Sequence, residues 1–189
     1  MIMQTIHYHY RIHLLTALLA FGSIAIALGA EPSEYILSNG MKVLLVEVPK
    51  APVATVQVWY KVGSRNEVMG RAGLSHMLEH MMFKGTARYP KGSFSRIVRK
   101  NGGIDNAFTG QDFTAYFENV AADRVGLALE LEADRMQGLL LDHSEFQTER
   151  DVVKEERRLR SEDDPQGALV EALFAQAFLS HPYHWPVIG

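Results

Sequence analysis

No cysteine occurs in the 189 residues, which excludes a disulfide framework, a thiolate nucleophile and any cysteine-ligated zinc or iron–sulfur site. A metal here must rest on His, Asp and Glu. A basic surplus is also absent: Lys plus Arg number 19 against 22 for Asp plus Glu, a formal charge of −3, so nothing recommends nucleic acid as a partner. The chain has no internal repeat, low-complexity tract or linker run. With 47% hydrophobic and 22% charged residues it is neither disordered, collagenous nor a coiled coil, and it can bury a core.

The first thirty residues have their own pattern. Met1 to Tyr10 carry no acid, Arg11 adds a positive charge, and Leu14 to Leu28 then run fifteen residues without a charge. Small residues at Ala25, Ala27, Gly29 and Ala30 precede polar Glu31-Pro32-Ser33. Residues 1–30 thus read as a secretory leader cleaved after Ala27 or Ala30, which makes the mature protein periplasmic or secreted. The other reading is an uncleaved membrane anchor, although fifteen residues fall short of the roughly 20 a span needs. No other membrane segment is expected. His7, His9 and His13 lie in the leader and take no part in the metal argument.

Beyond the leader, strand signals come first and helical ones follow. Asn39-Gly40 sits between apolar runs from Tyr35 and to Val46, the signal for a tight hairpin turn. Val56, Val58, Tyr60 and Val62 alternate with Thr55, Gln57, Trp59 and Lys61, the period of a third strand, which Gly63-Ser64-Arg65-Asn66 breaks. From Gly73 to Phe83 the period becomes helical, with Gly85 placed as a left-handed stop. A second short helix is expected over Ser93 to Lys100, ended by Asn101-Gly102-Gly103. Ala107 to Val120, rich in Phe, Thr and Tyr, reads as one bent strand or two short ones. Helices are expected over Asp123 to Leu140, Ser144 to Ser161 and Gln166 to Leu179. The mature chain is therefore a single α+β domain.

The first helix carries the chemistry. At 100° per residue, His76, Glu79 and His80 fall within about a third of the circumference, and Leu74, Met77, Leu78 and Met81 fall together on another side. The wheel predicts an inward apolar stripe and a His and Glu stripe turned the other way. Imidazoles at i and i+4 are one turn apart and can share one tetrahedral metal at about 2.0 to 2.1 Å per nitrogen. His-x-x-Glu-His is the inverted order of the common zinc-protease helix, and two solvated histidines on an exposed face are the plain alternative. A catalytic zinc takes three protein ligands and keeps one position for water, so a third ligand is sought downstream. Glu149 and Glu156 are seven residues apart and differ by about 20° on their helix, with Val152 and Val153 between them. Carboxylates on such a stripe need a metal or a cation to offset desolvation. Ion pairing, for instance Glu156 with Arg160, is the competing explanation.

Taken together, these segments resemble the pitrilysin-type zinc metallopeptidases, the inverzincin family that includes the mitochondrial processing peptidase. The resemblance runs from Gly40 to Gly189. It rests on Gly73 to Thr86 with His76-Met77-Leu78-Glu79-His80, on Gly102-Gly103-Ile104-Asp105-Asn106-Ala107-Phe108-Thr109, on Asp112-Phe113-Thr114-Ala115-Tyr116, and on Glu149 to Glu156. It implies an antiparallel or mixed sheet with helices packed on one side, and one zinc per chain. The third ligand it implies is the Glu 76 residues past the second His, which is Glu156 rather than Glu155; Glu149 would shape the site without binding metal. It further implies that peptide substrate adds as a strand beside Asn106, Ala107, Phe108 and Thr109, with Tyr116 near the cleft.

The expected activity is hydrolysis of peptide bonds in peptides or unfolded segments. Zinc would be held by His76, His80 and Glu156, with Glu79 taking the proton of the attacking water. Family members of the short class have a second homologous half, in the same chain or another, that closes a chamber and helps hold substrate. Relatives continue past the Pro182 to Gly189 stretch, so residues 31–189 are expected to be an incomplete N-terminal peptidase domain, weakly active or inactive alone. A non-catalytic family subunit, serving as scaffold or partner-binding module, is the alternative; such subunits typically lose members of the motif. Asp112, Tyr116 and Asp134 are expected to tie elements together, the Met81-Met82-Phe83 cluster, Trp59 and Trp185 to pack, and His143, His181 and His184 to lie apart from any metal.

Overall fold

The computed structural model describes residues 31–189; the leader expected over 1–30 lies outside the described residues. The chain divides into two compact units, 1–51 and 52–189. The first holds an antiparallel hairpin of β1 (Ser33–Ile36) and β2 (Lys42–Leu45), with Ile36 opposite Lys42. Its connection is not the two-residue turn expected of Asn-Gly. Five residues intervene, Leu37 N–H donating to the Met41 carbonyl and Gly40 N–H to the Leu37 carbonyl, both at 2.9 Å. Gly40 takes the left-handed conformation at φ 85°, the place a glycine occupies when a turn is followed by a bulge.

The second unit is built on a three-stranded antiparallel sheet ordered β3–β5–β4, from β3 (Val53–Tyr60), β4 (Ile104–Thr109) and β5 (Thr114–Ala121). The segment from Ala107 to Val120 is thus a hairpin, not one bent strand: Thr109 faces Thr114, and the Gly110 N–H donates to the Phe113 carbonyl at 2.8 Å across its turn. Five helices follow the strands in the chain or interrupt them: α1 (Leu74–Met81), α2 (Ser93–Lys100), α3 (Val125–Gly138), α4 (His143–Arg157) and α5 (Pro165–Ala177). Asp142 and Asp164 cap the last two through their carboxylates, in keeping with the preference for Asp at a helix start. A π-turn over Arg158–Glu162 ends α4, four residues short of the helix expected to Ser161. Among the described residues no helix is long and apolar enough to cross a membrane.

The core lies on one face of this sheet, where Phe94 and Val98 of α2, Ala128 and Leu131 of α3 and Val120 of β5 pack together. Burying each large member contributes about 1.5 to 3 kcal/mol. The opposite face carries Trp59, Ile104 and Phe108, all exposed; there the Trp59 ring meets Phe108 edge-on at 5.7 Å between centroids and lies tilted against Phe113 at 4.8 Å. This is the expected α+β architecture with helices on one side of the sheet.

The core also contains a charged cluster that periodicity did not reveal. Glu118 of β5 and Glu132 and Arg135 of α3 are almost wholly buried. Arg135 pairs with Glu132 through Nη2 and, at 3.2 Å, through Nε, and its Nη2 lies 3.5 Å from Glu118 Oε1. Its guanidinium carbon stacks 4.3 Å from the Phe94 ring centroid and 4.4 Å from that of Tyr116. One cation cannot balance two buried carboxylates, so one carboxyl keeps its proton. Burial first, then the neighbouring Glu132, push Glu118 up to about 9.

An unfolded carboxyl titrates near 4.5, so between that value and about 9 the folded chain holds a proton on Glu118 that the unfolded chain releases. Stability from this group is full below 4.5 and is lost as pH rises through 9. Glu118→Gln should therefore flatten the decline of melting temperature between pH 6 and 9; thermal scans across that range that show the same slope in both proteins would contradict the assignment.

Candidate metal centre

The site begins at the start of α1. Gly73 precedes the helix at φ 91°, and a Cβ there would sit 2.5 Å from the Ile188 carbonyl oxygen, so both backbone and space call for glycine. Glu67 caps the helix from outside, its carboxylate accepting from the Gly73 N–H at 2.7 Å and the Ser75 N–H at 2.6 Å, where the helix dipole favours a negative charge. The helix stops at Met81 with Met82 as its cap, and Gly85 is not its terminator. Gly85 instead bridges Pro90, with a φ of 98°.

The outward His and Glu stripe expected from the wheel is corrected by the structure. His76 is only 7% exposed, while Leu74 and Leu78 are 56% and 46% exposed. The polar stripe faces α4, and only Met77 and Met81 of the apolar set are buried. Against this stripe α4 presents Glu149 and Glu156. His80 Nε2 lies 3.3 Å and His76 Nε2 3.8 Å from Glu156 Oε2, and the three donor atoms lie within 4.8 Å of one another. A tetrahedral ion with bonds of about 2.0 to 2.1 Å sets its ligand atoms about 3.4 Å apart. Two imidazoles and one carboxylate are also the donor set that suits zinc. The residues fit a zinc ion.

Glu149 reaches the other side of His80. Its Oε1 is 2.9 Å from His80 Nδ1 and its Oε2 pairs with Lys84 Nζ. Burial works to raise the Glu149 carboxyl, but the bonds from Lys84 and His80 outweigh it and hold the group below the usual carboxylate range. An ionised carboxylate only accepts, so the Glu149 contact puts a proton on Nδ1 of His80 and leaves Nε2 as the nitrogen a metal would take. Glu156 in turn accepts from Arg160 through Oε1 at 2.8 Å. The ion pair weighed as an alternative therefore forms, yet it uses only one oxygen and leaves the other to the imidazoles. Glu155 pairs with Arg158 away from the site. Burial, then the adjacent His80, lower the pKa of His76, and its Nδ1 is buried without a partner among the described residues.

Glu79 accepts from the Thr109 hydroxyl at 2.5 Å through Oε2. Thr109 is the last residue of β4, which pairs only with β5 and leaves its other side as a sheet edge among the described residues. Along it Asn106 and Phe108 are exposed, whereas Ala107 and Thr109 are partly buried; the Ala107 N–H meets the Asn106 Oδ1 at 2.9 Å. Tyr116, expected near the cleft, is only 2% exposed. Its ring is enclosed by Arg135, Tyr60 and Phe83, and burial holds its phenol protonated well above the usual value. Asp112 ties the tail by accepting from Tyr183 at 2.7 and 2.8 Å, and Asp134 accepts from Thr86 at 2.5 Å. His143, His181 and His184 lie apart from the cluster, with Gln147, Tyr183 and Ala175 as their neighbours. Glu67, Lys84 and the Thr109 hydroxyl are the parts sequence reasoning missed, since no short-range spacing announces them.

A family model described as Insulinase (Peptidase family M16) matches residues 42–189. The chain belongs to peptidase family M16. It is similar to zinc protease PqqE of Helicobacter pylori, with 46% identity over 154 residues that cover 81% of this chain and 35% of that protein. A Mycobacterium bovis protein, named an uncharacterized zinc protease, is 37% identical over 158 residues, 84% of this chain and 36% of that one. Among solved structures, a crystal structure of a protease from Helicobacter pylori superposes with a TM-score of 0.82 at 44% identity, covering 85% of this chain and 39% of that chain. The M16 chain thus spans about a third of the length of the curated relatives it matches, and their names place it in a zinc metallopeptidase family.

Long-range proton–nitrogen NMR should find a proton on His80 Nδ1 both with and without zinc, and in the metal-free protein His76 should stay neutral to a lower pH than an ordinary imidazole. An unprotonated His80 Nδ1 would contradict the orientation argued from Glu149.

Proposed function

We propose that the protein is a zinc-dependent endopeptidase that cleaves peptides or unfolded protein segments, with His76, His80 and Glu156 as the ligands of one zinc per chain. The observation that carries this reading is the convergence of those three donor atoms from two separate helices, with His80 and Glu156 76 residues apart in the chain and Glu79 on the same turn of α1. A bound zinc supplies a Lewis acid that brings the pKa of a water down towards about 7 and stabilises negative charge on a carbonyl oxygen.

The chain's own residues do the rest. Glu149 orients His80 by accepting its Nδ1 proton, as outer carboxylates do for ligating imidazoles. Glu79 takes the proton from the attacking water and returns it to the departing amine. The open edge of β4 beside Asn106, Ala107, Phe108 and Thr109 binds the peptide through backbone hydrogen bonds, a mode that tolerates many sequences. The site would be completed by a second homologous domain or subunit closing a chamber over it, and the charged leader pattern supports export to the periplasm or beyond.

Two substitutions test the assignment. Glu79→Gln should keep about one zinc per chain, measured by metal analysis of the intact protein, while abolishing cleavage of a quenched fluorescent peptide; undiminished cleavage would refute the base. Glu156→Gln should weaken zinc binding by more than about 100-fold, beyond what loss of an outer partner costs, and Glu155→Gln should leave it nearly unchanged in a chelator competition. Equal losses at both positions would remove Glu156 from the ligand set. Zinc binding without cleavage even when the completing domain or subunit is present would favour the non-catalytic subunit instead.

A further inference from the structure

Glu79, the sole acid of α1, forms no ion pair with a cation or imidazole within 4 Å among the described residues; its sole hydrogen-bond partner there is the Thr109 hydroxyl. A general base in this position must present one oxygen to a water and must not swing away or bind the metal itself. The position of Thr109 is set by its surroundings more than by its own contacts. Its β-branched side chain has a restricted χ1 in a strand. The strand end is locked by pairing with Thr114, whose hydroxyl donates to the Val62 carbonyl at 2.9 Å. The turn that follows is held by Ser64 N–H to the Gly110 carbonyl at 3.2 Å and Arg65 N–H to the Gln111 carbonyl at 2.8 Å. Behind that contact Gly63 allows no side chain, because a Cβ would meet the Gly110 oxygen at 2.4 Å.

We propose that Thr109 is a positioning residue for the reaction: its side-chain hydroxyl, aimed by the end of β4, holds Oε2 of Glu79 so that Oε1 faces the attacking water. This deepens the peptidase reading and rests on it. It also separates two functions within one residue. The Thr109 backbone belongs to the strand edge offered to a peptide, whereas its side chain points to the helix side of the sheet and belongs to the base. Glu79 Oε1 accepts no hydrogen bond among the described residues, so the carboxylate has one engaged and one available oxygen. A hydroxyl donates to a carboxylate without adding charge, so it orients the base and leaves the charge balance of the neighbouring ligands unchanged.

The experiment compares Thr109→Val, which keeps shape and removes the donor, with Thr109→Ser, which keeps the donor, in the intact zinc-loaded protein acting on a quenched fluorescent peptide. Thr109→Val should lower kcat about 10- to 100-fold, the usual range for losing a hydrogen bond to a charged group, with KM changed less than about threefold; Thr109→Ser should restore kcat to within about threefold of the unsubstituted value. Zinc affinity by chelator competition should be the same in all three. The carboxyl carbon shift of Glu79 in 13C-glutamate-labelled protein should move in the Val variant and return in the Ser variant. A rise in KM with kcat unchanged would instead make the hydroxyl a substrate contact, and a fall in zinc affinity would make it a structural support. Unaltered kcat in the Val variant would overturn the proposal outright. Failure of the underlying peptidase reading looks different: no zinc-dependent cleavage by the unsubstituted protein with its completing domain or subunit present, in which case there is no reaction for Glu79 to be positioned for.

Discussion

His80 is gripped at both ring nitrogens by one helix, and the rest of the site follows from that clamp. Glu149 and Glu156 stand about two turns apart on α4, roughly 10 Å along its axis, and the imidazole lies between them, with Nδ1 2.9 Å from Glu149 and Nε2 3.3 Å from Glu156. A shift of either residue by one position would rotate its carboxylate about 100° away from the ring. The clamp therefore fixes the axial register of α4 against α1, and with it the distance from Glu156 to His76. Two carboxylates are costly to remove from water. Here each has its charge met twice, Glu149 by His80 and Lys84, Glu156 by Arg160 and the imidazole edges. The cluster thus survives partial burial without an ion, and an ion would add a further counter-charge.

That arrangement also explains why helix-wheel reasoning placed α1 the wrong way round. The rule that apolar stripes face inward presumes that polar stripes cannot be satisfied inside. On α1 the polar stripe is satisfied, by carboxylates arriving from 69 or more residues downstream, so it is the stripe that turns inward and Leu74 and Leu78 that remain exposed. The same presumption hid Glu118, Glu132 and Arg135. Glu132 and Arg135 are three apart on α3, a spacing no different from that of a pair on an exposed helix face, and only the sheet reveals that Glu118 of β5 lies beneath them.

What could be read from the chain is what depends on short spacing. The His-x-x-Glu-His turn, the seven-residue interval on α4, the Ser93–Lys100 helix and the alternation in β3 are local periodicities, and they reappear in the structure within a few residues. The break between β4 and β5 was left open because Gly110 to Phe113 carries no Pro and only one Gly, so composition alone did not distinguish a turn from a bend. Glu67 on the start of α1, Lys84 on Glu149 and Thr109 on Glu79 are pairings between separate elements that no periodicity encodes. The burial of Tyr116 is hidden for a related reason: a strand tells which residues alternate but not which face is covered, and the covered face is the one it occupies.

The two roles proposed for β4 share one constraint, the pleat of the strand. Successive side chains alternate between the exposed face, with Asn106 and Phe108, and the helix side, with Ala107 and Thr109, so the hydroxyl that holds Glu79 and the backbone groups of the edge are parts of one rigid ladder. A peptide that adds to this edge must match the ladder's period of two, and slipping by one residue would exchange every side chain between the two faces. In that binding mode the bond brought beside Glu79 changes in steps of two residues rather than one. Selectivity for the cleavage position would then come from which set of alternate side chains the exposed Phe108 and Trp59 face accommodates, and the backbone bonds, common to all peptides, would supply affinity without choosing among them.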